Sequence, residues 1–170
     1  MVDFAGFTQW FLEWSNSVAS TWGYLGIFFI SIIANATIIL PFPLFLVVFA
    51  AGAFLNPWLV GLSAGLGSAI GEFTAYGVGI GSREALKSNY KKWVKKVEKW
   101  AEKSGLFPLV VLFAATPLPA DVIGIFCGMA RYDIRKFFLG MFIGKTIMSV
   151  ALAWGGFYGL GWVLSLFTLG

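Results

Sequence analysis

Three ionisable side chains sit where apolar sequence should exclude them. Glu72 lies within WLVGLSAGLGSAIGEFTAYGVGIG, residues 58–81, and Asp121 follows the proline pair of ATPLPADVIG, residues 115–124. Lys145 interrupts the apolar segment 134–168. A charge at the centre of a membrane helix costs about 2.5–3.5 kcal/mol on insertion scales, so such a residue marks a function or an ion pair that locks two helices. A carboxylate at that depth can take up a proton or hold a cation. A lysine there can attract an anion or pair with an acid, and Glu72–Lys145 and Asp121–Lys145 are both candidate pairs. Asp121 also has a plainer role, capping the half-helix that starts after Pro117 and Pro119.

The chain has no histidine and one cysteine, Cys127. Histidine-dependent catalysis and metal ligation are therefore excluded, as is an intrachain disulfide. No catalytic residue, metal site or cofactor is assigned. An enzyme is not expected, because an intramembrane aspartyl protease needs two neighbouring carboxylates and Asp121 is the only deeply placed aspartate.

These residues must be positioned by helices in lipid. Hydrophobic residues make up 59% of the 170, and charged residues 12%, against about 25% charged in soluble domains. One all-α integral membrane domain is expected over 1–170. Residues 1–22, with Trp10, Trp14 and Trp22, read as an interfacial helix, and 23–40 as a transmembrane segment. Residues 41–57, between the Pro41/Pro43 pair and the Asn56-Pro57 turn, are too short to cross and read as a re-entrant hairpin. A transmembrane helix follows at 58–81, with a stripe of small residues: Ser63, Gly67, Gly71, Ala75 and Gly79. Such stripes let helix backbones approach closely in lipid. Ala64, Ser68, Glu72 and Tyr76 form a polar line beside it. Residues 82–104 read as a basic amphipathic surface helix, with Ser82 as N-cap and Gly105 as its stop. A second hairpin is expected at 106–130, broken at Pro117 and Pro119. A last transmembrane segment spans 134–168, with Gly155-Gly156 as a candidate break.

Eleven of the 12 basic residues fall in 83–103 or 131–136. By the positive-inside rule both stretches face the cytoplasm of a multi-pass plasma-membrane protein. The lysines of 87–103 and the residues Arg131 and Arg135 suit anionic lipid headgroups, and Arg131 and Arg135 could also clamp a phosphate. Nucleic acid is not an expected partner, because the apolar face of the basic helix carries Trp93 and Trp100.

Residues 41–81 and 117–157 read as two copies of one unit. Pro41, Pro43 and Gly52 match Pro117, Pro119 and Gly128 at an offset of 76. Gly67 and Gly79 match Gly144 and Gly156 at 77. The charge bias gives the copies opposite orientations. Two inverted repeats, each a re-entrant hairpin plus a transmembrane helix, form a design shared by many secondary transporters.

LPFPLFLVVFAAGAFLNPWLVGLSAGLGSAIGEFTAYGVG and ATPLPADVIGIFCGMARYDIRKFFLGMFIGKTI resemble the two signatures of the DedA/VTT-domain (SNARE-associated) membrane proteins. The resemblance covers about residues 25–157. It implies two facing hairpins and movement of lipid between leaflets, by a polyprenyl-phosphate flippase or a phospholipid scramblase, with proton coupling as an option. Many members carry arginine in the second hairpin, near residues 113–121, where this chain has Asp121. On the residues alone, Glu72, Asp121, Lys145, Arg131 and Arg135 are the candidate substrate- or ion-binding set. A proton- or cation-coupled small-solute transporter and a non-transporting assembly factor stay open as alternatives, as does self-association.

Overall fold

The computed structural model describes residues 22–36, 44–85 and 105–168, and these are helical apart from short turns. The expected interfacial helix at 1–22, the break at Pro41 and Pro43 and the basic stretch 86–104 lie outside the described residues, apart from Trp22, which opens the first helix. The described residues form seven helices: α1 (Trp22–Ala36), α2 (Leu44–Phe54), α3 (Pro57–Gly71), α4 (Phe73–Ala85), α5 (Leu106–Ala115), α6 (Ala120–Met129) and α7 (Ile134–Thr168).

Two rods organise the rest. Helices α3 and α4 join at Glu72 with the hydrogen-bond ladder kept on both sides. The Glu72 N–H donates to the Ser68 carbonyl and the Tyr76 N–H to the Glu72 carbonyl, each at 3.1 Å. The rod from Pro57 to Ala85 is therefore about 40 Å long at 1.5 Å per residue. Ser82 lies inside it rather than at a helix start, and its hydroxyl bonds back to the Gly79 carbonyl at 3.1 Å. Gly105, expected as the stop of the basic stretch, stands at the N-cap position of the helix Leu106–Ala115, with a positive φ of 70° that suits glycine. The second rod, α7, runs unbroken through Gly155 and Gly156, where a break was a candidate. Gly156 instead gives the room in which the Phe49 backbone approaches α7. A glycine can serve contact as well as flexibility, and the pair alone does not distinguish these.

Both rods start on side-chain caps. Asn56 Oδ1 accepts from Trp58 N at 3.0 Å and Leu59 N at 3.3 Å, with Pro57 at the first helical position. Asp133 Oδ1 accepts from Arg135 N and Lys136 N, both at 2.9 Å. The backbone N–H of Lys136, more than any other group, holds the Asp133 carboxyl below its ordinary range, so this cap persists into mildly acidic solution. Asn56 and Asp133 stand 77 positions apart. Between α5 and α6 the chain breaks where the prolines require it. Thr116, extended at φ −115° and ψ 160°, precedes Pro117, and Pro119 takes the N-cap position of α6.

The short helices pack on the rods. Helix α2 lies on α7, α6 on α4, α5 on α7, and α3 against α7. The close approaches repeat at the offsets of the sequence. Gly52 faces the Ala153 backbone, and Gly128 faces that of Tyr76; Gly156 faces Phe49, and Gly79 faces Ile125. The partners again stand 76 or 77 apart. On the outer side of each rod, Gly67 admits the Phe28 carbonyl of α1 and Gly144 admits α5 at Val111 and Ala114. The small stripe thus serves α1 through Gly67 and Gly71, and α6 through Ala75 and Gly79.

Two apolar cores result. One gathers Tyr76, Leu106, Val110, Cys127, Phe137 and Met141, and the other Ile27, Val48, Val60, Ala64 and Ala153. Along both rods the polar residues fall between these cores. Large apolar side chains cover much of the exterior, among them Phe29, Leu46, Phe54, Leu112, Val122 and Ile147. By length and composition, Ile134–Gly159 within α7 can cross a membrane, and α1, α2, α5 and α6 are shorter apolar helices.

A methyl group at Gly52 or Gly128 would meet backbone of the facing rod, whereas one at Gly77 would meet nothing within 4 Å. Gly52→Ala and Gly128→Ala should each destabilise by about 1–3 kcal/mol through overpacking. Gly77→Ala should stabilise by up to about 1 kcal/mol through helix propensity. Thermal unfolding in detergent distinguishes them; equal effects at all three positions would contradict the packing.

Candidate functional site

The polar line of the first rod is spent on partners from other helices. Ser68 Oγ accepts from Asn35 Nδ2 of α1 at 3.0 Å. Glu72 Oε1 pairs with Lys145 Nζ of α7 at 2.9 Å. One turn on, the Tyr76 hydroxyl donates to the Tyr132 carbonyl at 2.5 Å, tying this rod to the turn between α6 and α7.

The ion pair is the centre of the arrangement. The Glu72 side chain is 2% exposed and that of Lys145 16%. Lys145 Nζ also donates to Asn35 Oδ1 at 2.8 Å, while Asn35 Nδ2 donates to the Ser31 carbonyl at 2.9 Å. Asn35 therefore spends both ends of its amide, holding the ammonium with its oxygen and the first rod with its nitrogen. Glu72 Oε2 has no hydrogen-bond partner among the described residues. It lies beside Gly124 of α6, where a methyl group would come within 3.5 Å of it. The helices can close around a charged side chain here because Gly124 has no side chain.

Asp121 stands at the second position of α6, partly buried, with Pro119 at the cap position. It sits inside the first turn rather than at the cap, where a negative charge still favours the helix end. It is close enough to interact electrostatically with both Lys145 and Glu72. The three charges singled out in the sequence thus belong to one neighbourhood, and of the two candidate pairs Glu72–Lys145 is formed.

Arg131 and Arg135 are exposed at the turn joining α6 to α7, away from the pair. Arg131 adopts φ 50°, left-handed for a residue with a side chain. Its N–H bonds the Gly128 carbonyl at 3.1 Å, and that of Tyr132 bonds the Cys127 carbonyl at 2.9 Å. This is the Schellman closure, in which glycine usually holds the position of Arg131.

A cavity of about 100 Å³ opens beside the ammonium, with Asn35, Ser68, Lys145 and Ser149 among its polar lining and Phe45, Val48 and Leu152 among its apolar wall. Sequence reasoning passed over Asn35 and Ser149. Each is one polar residue in an apolar run, a weak signal without knowledge of which faces meet.

Removing one partner of a buried pair leaves the other uncompensated, at about 3–5 kcal/mol. Glu72→Gln and Lys145→Met should each destabilise on that scale, and the double variant by less than either. A double-mutant cycle by thermal unfolding checks this, and additive losses would mean the two side chains do not interact.

A family model described as the VTT domain matches residues 40–158. No curated relative and no solved structure matches the chain. The matched region includes both rods as far as residue 158, the ion pair, Asp121 and the Arg131 turn. This chain belongs to the VTT-domain family, the DedA-type membrane proteins that its two motifs resemble.

Proposed function

We propose that this protein moves lipid, a phospholipid or a polyprenyl phosphate, between the leaflets of the plasma membrane. The observation that carries this reading is the Glu72–Lys145 pair. It is a buried charge pair between the two rods, touched by the end of α1 and within electrostatic reach of the start of α6.

The membrane placement follows from lengths. Lys145 lies nine residues from Lys136 and nine from Trp154. At 1.5 Å per residue that is about 14 Å each way, which sets it near the middle of a hydrocarbon core about 30 Å thick. The first hairpin, expected within 41–57, is redrawn in this reading, because Leu44–Phe54 is a single helix and Trp22–Ala36 is a short one. Helices α1 and α2 are its limbs, and α5 and α6 those of a second entering from the opposite side. The contacts repeated at offsets of 76 and 77 support this inverted relation. Non-helical backbone at such depth is tolerated where it is buried in protein or lines a watery cavity. Residues 117–119 of the turn are exposed, so this reading requires them to face water rather than lipid.

In this reading Arg131, Arg135 and Lys136 gather anionic headgroups at the cytoplasmic face. The headgroup then passes along the polar furrow while its tails remain in lipid. Lys145 attracts the phosphate, and Glu72 and Asp121 supply the proton or cation site. A small-solute transporter would use the same groups, and the modest cavity favours it as the second reading.

In vesicles reconstituted with the protein, labelled anionic lipid should cross faster than in empty vesicles. Asp121→Asn should slow crossing about tenfold, equivalent to about 1.4 kcal/mol in the barrier. Equal rates in loaded and empty vesicles would remove the reading. Flux of a soluble anion driven by a pH or sodium gradient, without lipid movement, would assign the second. Arg131→Gly separates fold from function. It relieves about 1–2 kcal/mol of left-handed strain, so it should unfold at higher temperature yet move anionic lipid more slowly. Unchanged movement would remove Arg131 from the headgroup path.

A further inference from the structure

We propose that the aromatic end of the two rods binds the quaternary ammonium of a phosphocholine lipid headgroup. This site lies apart from the ion pair and does not rest on the transport reading.

Four rings meet where α3 begins and α7 passes it. Trp58 comes from the first turn of α3, and Trp154, Phe157 and Tyr158 from α7. The last three stand three and four positions apart, so they share one face of their helix. Ring centroids lie 6.0 Å apart for Trp58 and Trp154, 5.5 Å for Trp154 and Phe157, and 5.3 Å for Trp154 and Tyr158. Trp154 and Tyr158 stack at 25°, whereas Trp58 stands at 80° and Phe157 at 76° to Trp154. The cluster therefore presents walls in two nearly perpendicular orientations, not one flat apolar sheet. Trp58 is 57% exposed, Phe157 47% and Tyr158 67%, so these rings reach outside the protein.

Charge selects the occupant. An aromatic face is the negative side of a quadrupole and attracts a cation within about 6 Å of its centroid. The Tyr24 hydroxyl accepts from the Asn56 N–H at 3.2 Å, which brings the start of α1 to this end. The described stretches gathered here, 22–26, 55–62 and 151–158, hold no Asp, Glu, Lys or Arg. No lysine or arginine of these stretches fills the ring faces, and no carboxylate of theirs competes for a cation. A primary ammonium is strongly hydrated and asks for hydrogen-bond acceptors. A trimethylammonium donates no hydrogen bond and is satisfied by ring faces alone.

Depth selects the source. Trp154 lies nine residues beyond Lys145 and 18 beyond Lys136 on one unbroken helix. These are about 14 Å and 27 Å at 1.5 Å per residue. A hydrocarbon core about 30 Å thick that begins near the Lys136 turn therefore ends near Trp154. The rings stand at headgroup level, where a lipid delivers its cation with the phosphate turned to water. The two ends of the molecule then differ in kind, with Arg131, Arg135 and Lys136 at one and aromatic rings at the other.

The test uses the full chain in maltoside micelles. One probe is dihexanoyl phosphatidylcholine. The other is its isostere with 3,3-dimethylbutyl in place of choline, so that carbon replaces the charged nitrogen and shape is kept. Saturation-transfer difference NMR reads contact of the terminal methyl protons with the protein, and titration gives both affinities. The choline probe should bind about fivefold tighter, the scale of one exposed cation–π contact. The double variant Trp58→Leu, Tyr158→Leu keeps apolar bulk but removes two rings, and it should bind the two probes equally. Tyr158→Phe keeps a ring and should keep the preference. Thermal unfolding in the same micelles checks that the variants are folded, and the comparison of probes on the wild-type protein needs no variant. Equal affinities on the wild type would make the cluster an apolar interfacial belt only and overturn the proposal, as would no binding of either probe. A preference that survives the double variant would place the cation elsewhere and overturn it too. Asp121→Asn, which tests transport, should leave the preference intact; its loss there would move the cation to the ion pair and end the proposal.

Discussion

A carboxylate and an ammonium held 2.9 Å apart between two apolar cores set the terms for the rest of this structure. Neither charge could stay ionised alone at that depth without a large desolvation cost. The two rods must therefore cross with Glu72 opposite Lys145. Everything near the crossing is small enough to allow it: Gly61 and Gly65 let α3 approach α7 at Val150 and Thr146, and Gly124 leaves room beside the carboxylate. Buried pairs of this kind are poor sources of stability but sharp determinants of register. A slip of one residue along either rod would separate the charges.

The same crossing explains why the short helices lie where they do. Each rod has one side given to its own half and another to the opposite half. Gly67 and Gly71 receive α1, and Gly79 receives α6; on the second rod Gly144 receives α5 and Gly156 receives α2. Without hydrophobic attraction between helices in lipid, close backbone packing supplies the cohesion. That packing brings Asn35 to the ammonium and Asp121 into its field, so the polar centre is a product of the glycine pattern as much as of the charges.

Much of this was legible in the sequence because it rests on local chemistry. The Thr116–Pro119 break follows from proline geometry, and the start of α3 from Asn56-Pro57. Gly52, Gly67, Gly79, Gly128, Gly144 and Gly156, matched in the sequence at offsets of 76 and 77, prove to be positions of close backbone approach. What the sequence hid depends on which faces meet. Asn35 and Ser149 matter only because α1 and α7 turn them toward one ammonium. Ser82 has the composition of a cap but sits within a continuing helix. Gly155-Gly156 has that of a break, yet it lies in an unbroken helix that needs room for Phe49. Arg131 reads in the sequence as a charge for anionic headgroups; its left-handed backbone appears only once the turn from α6 to α7 is closed.

The most direct measurement is a through-space contact in the bilayer itself. Solid-state NMR on protein labelled with ¹⁵N at the lysine Nζ and ¹³C at the glutamate carboxyl, with Lys145→Met and Glu72→Gln to assign the signals, reads it in lipid. The account predicts a strong dipolar coupling between Lys145 Nζ and the Glu72 carboxyl carbon, from an ammonium shielded from bulk water. Absence of that coupling, with a Lys145 signal that exchanges freely with solvent, would contradict it.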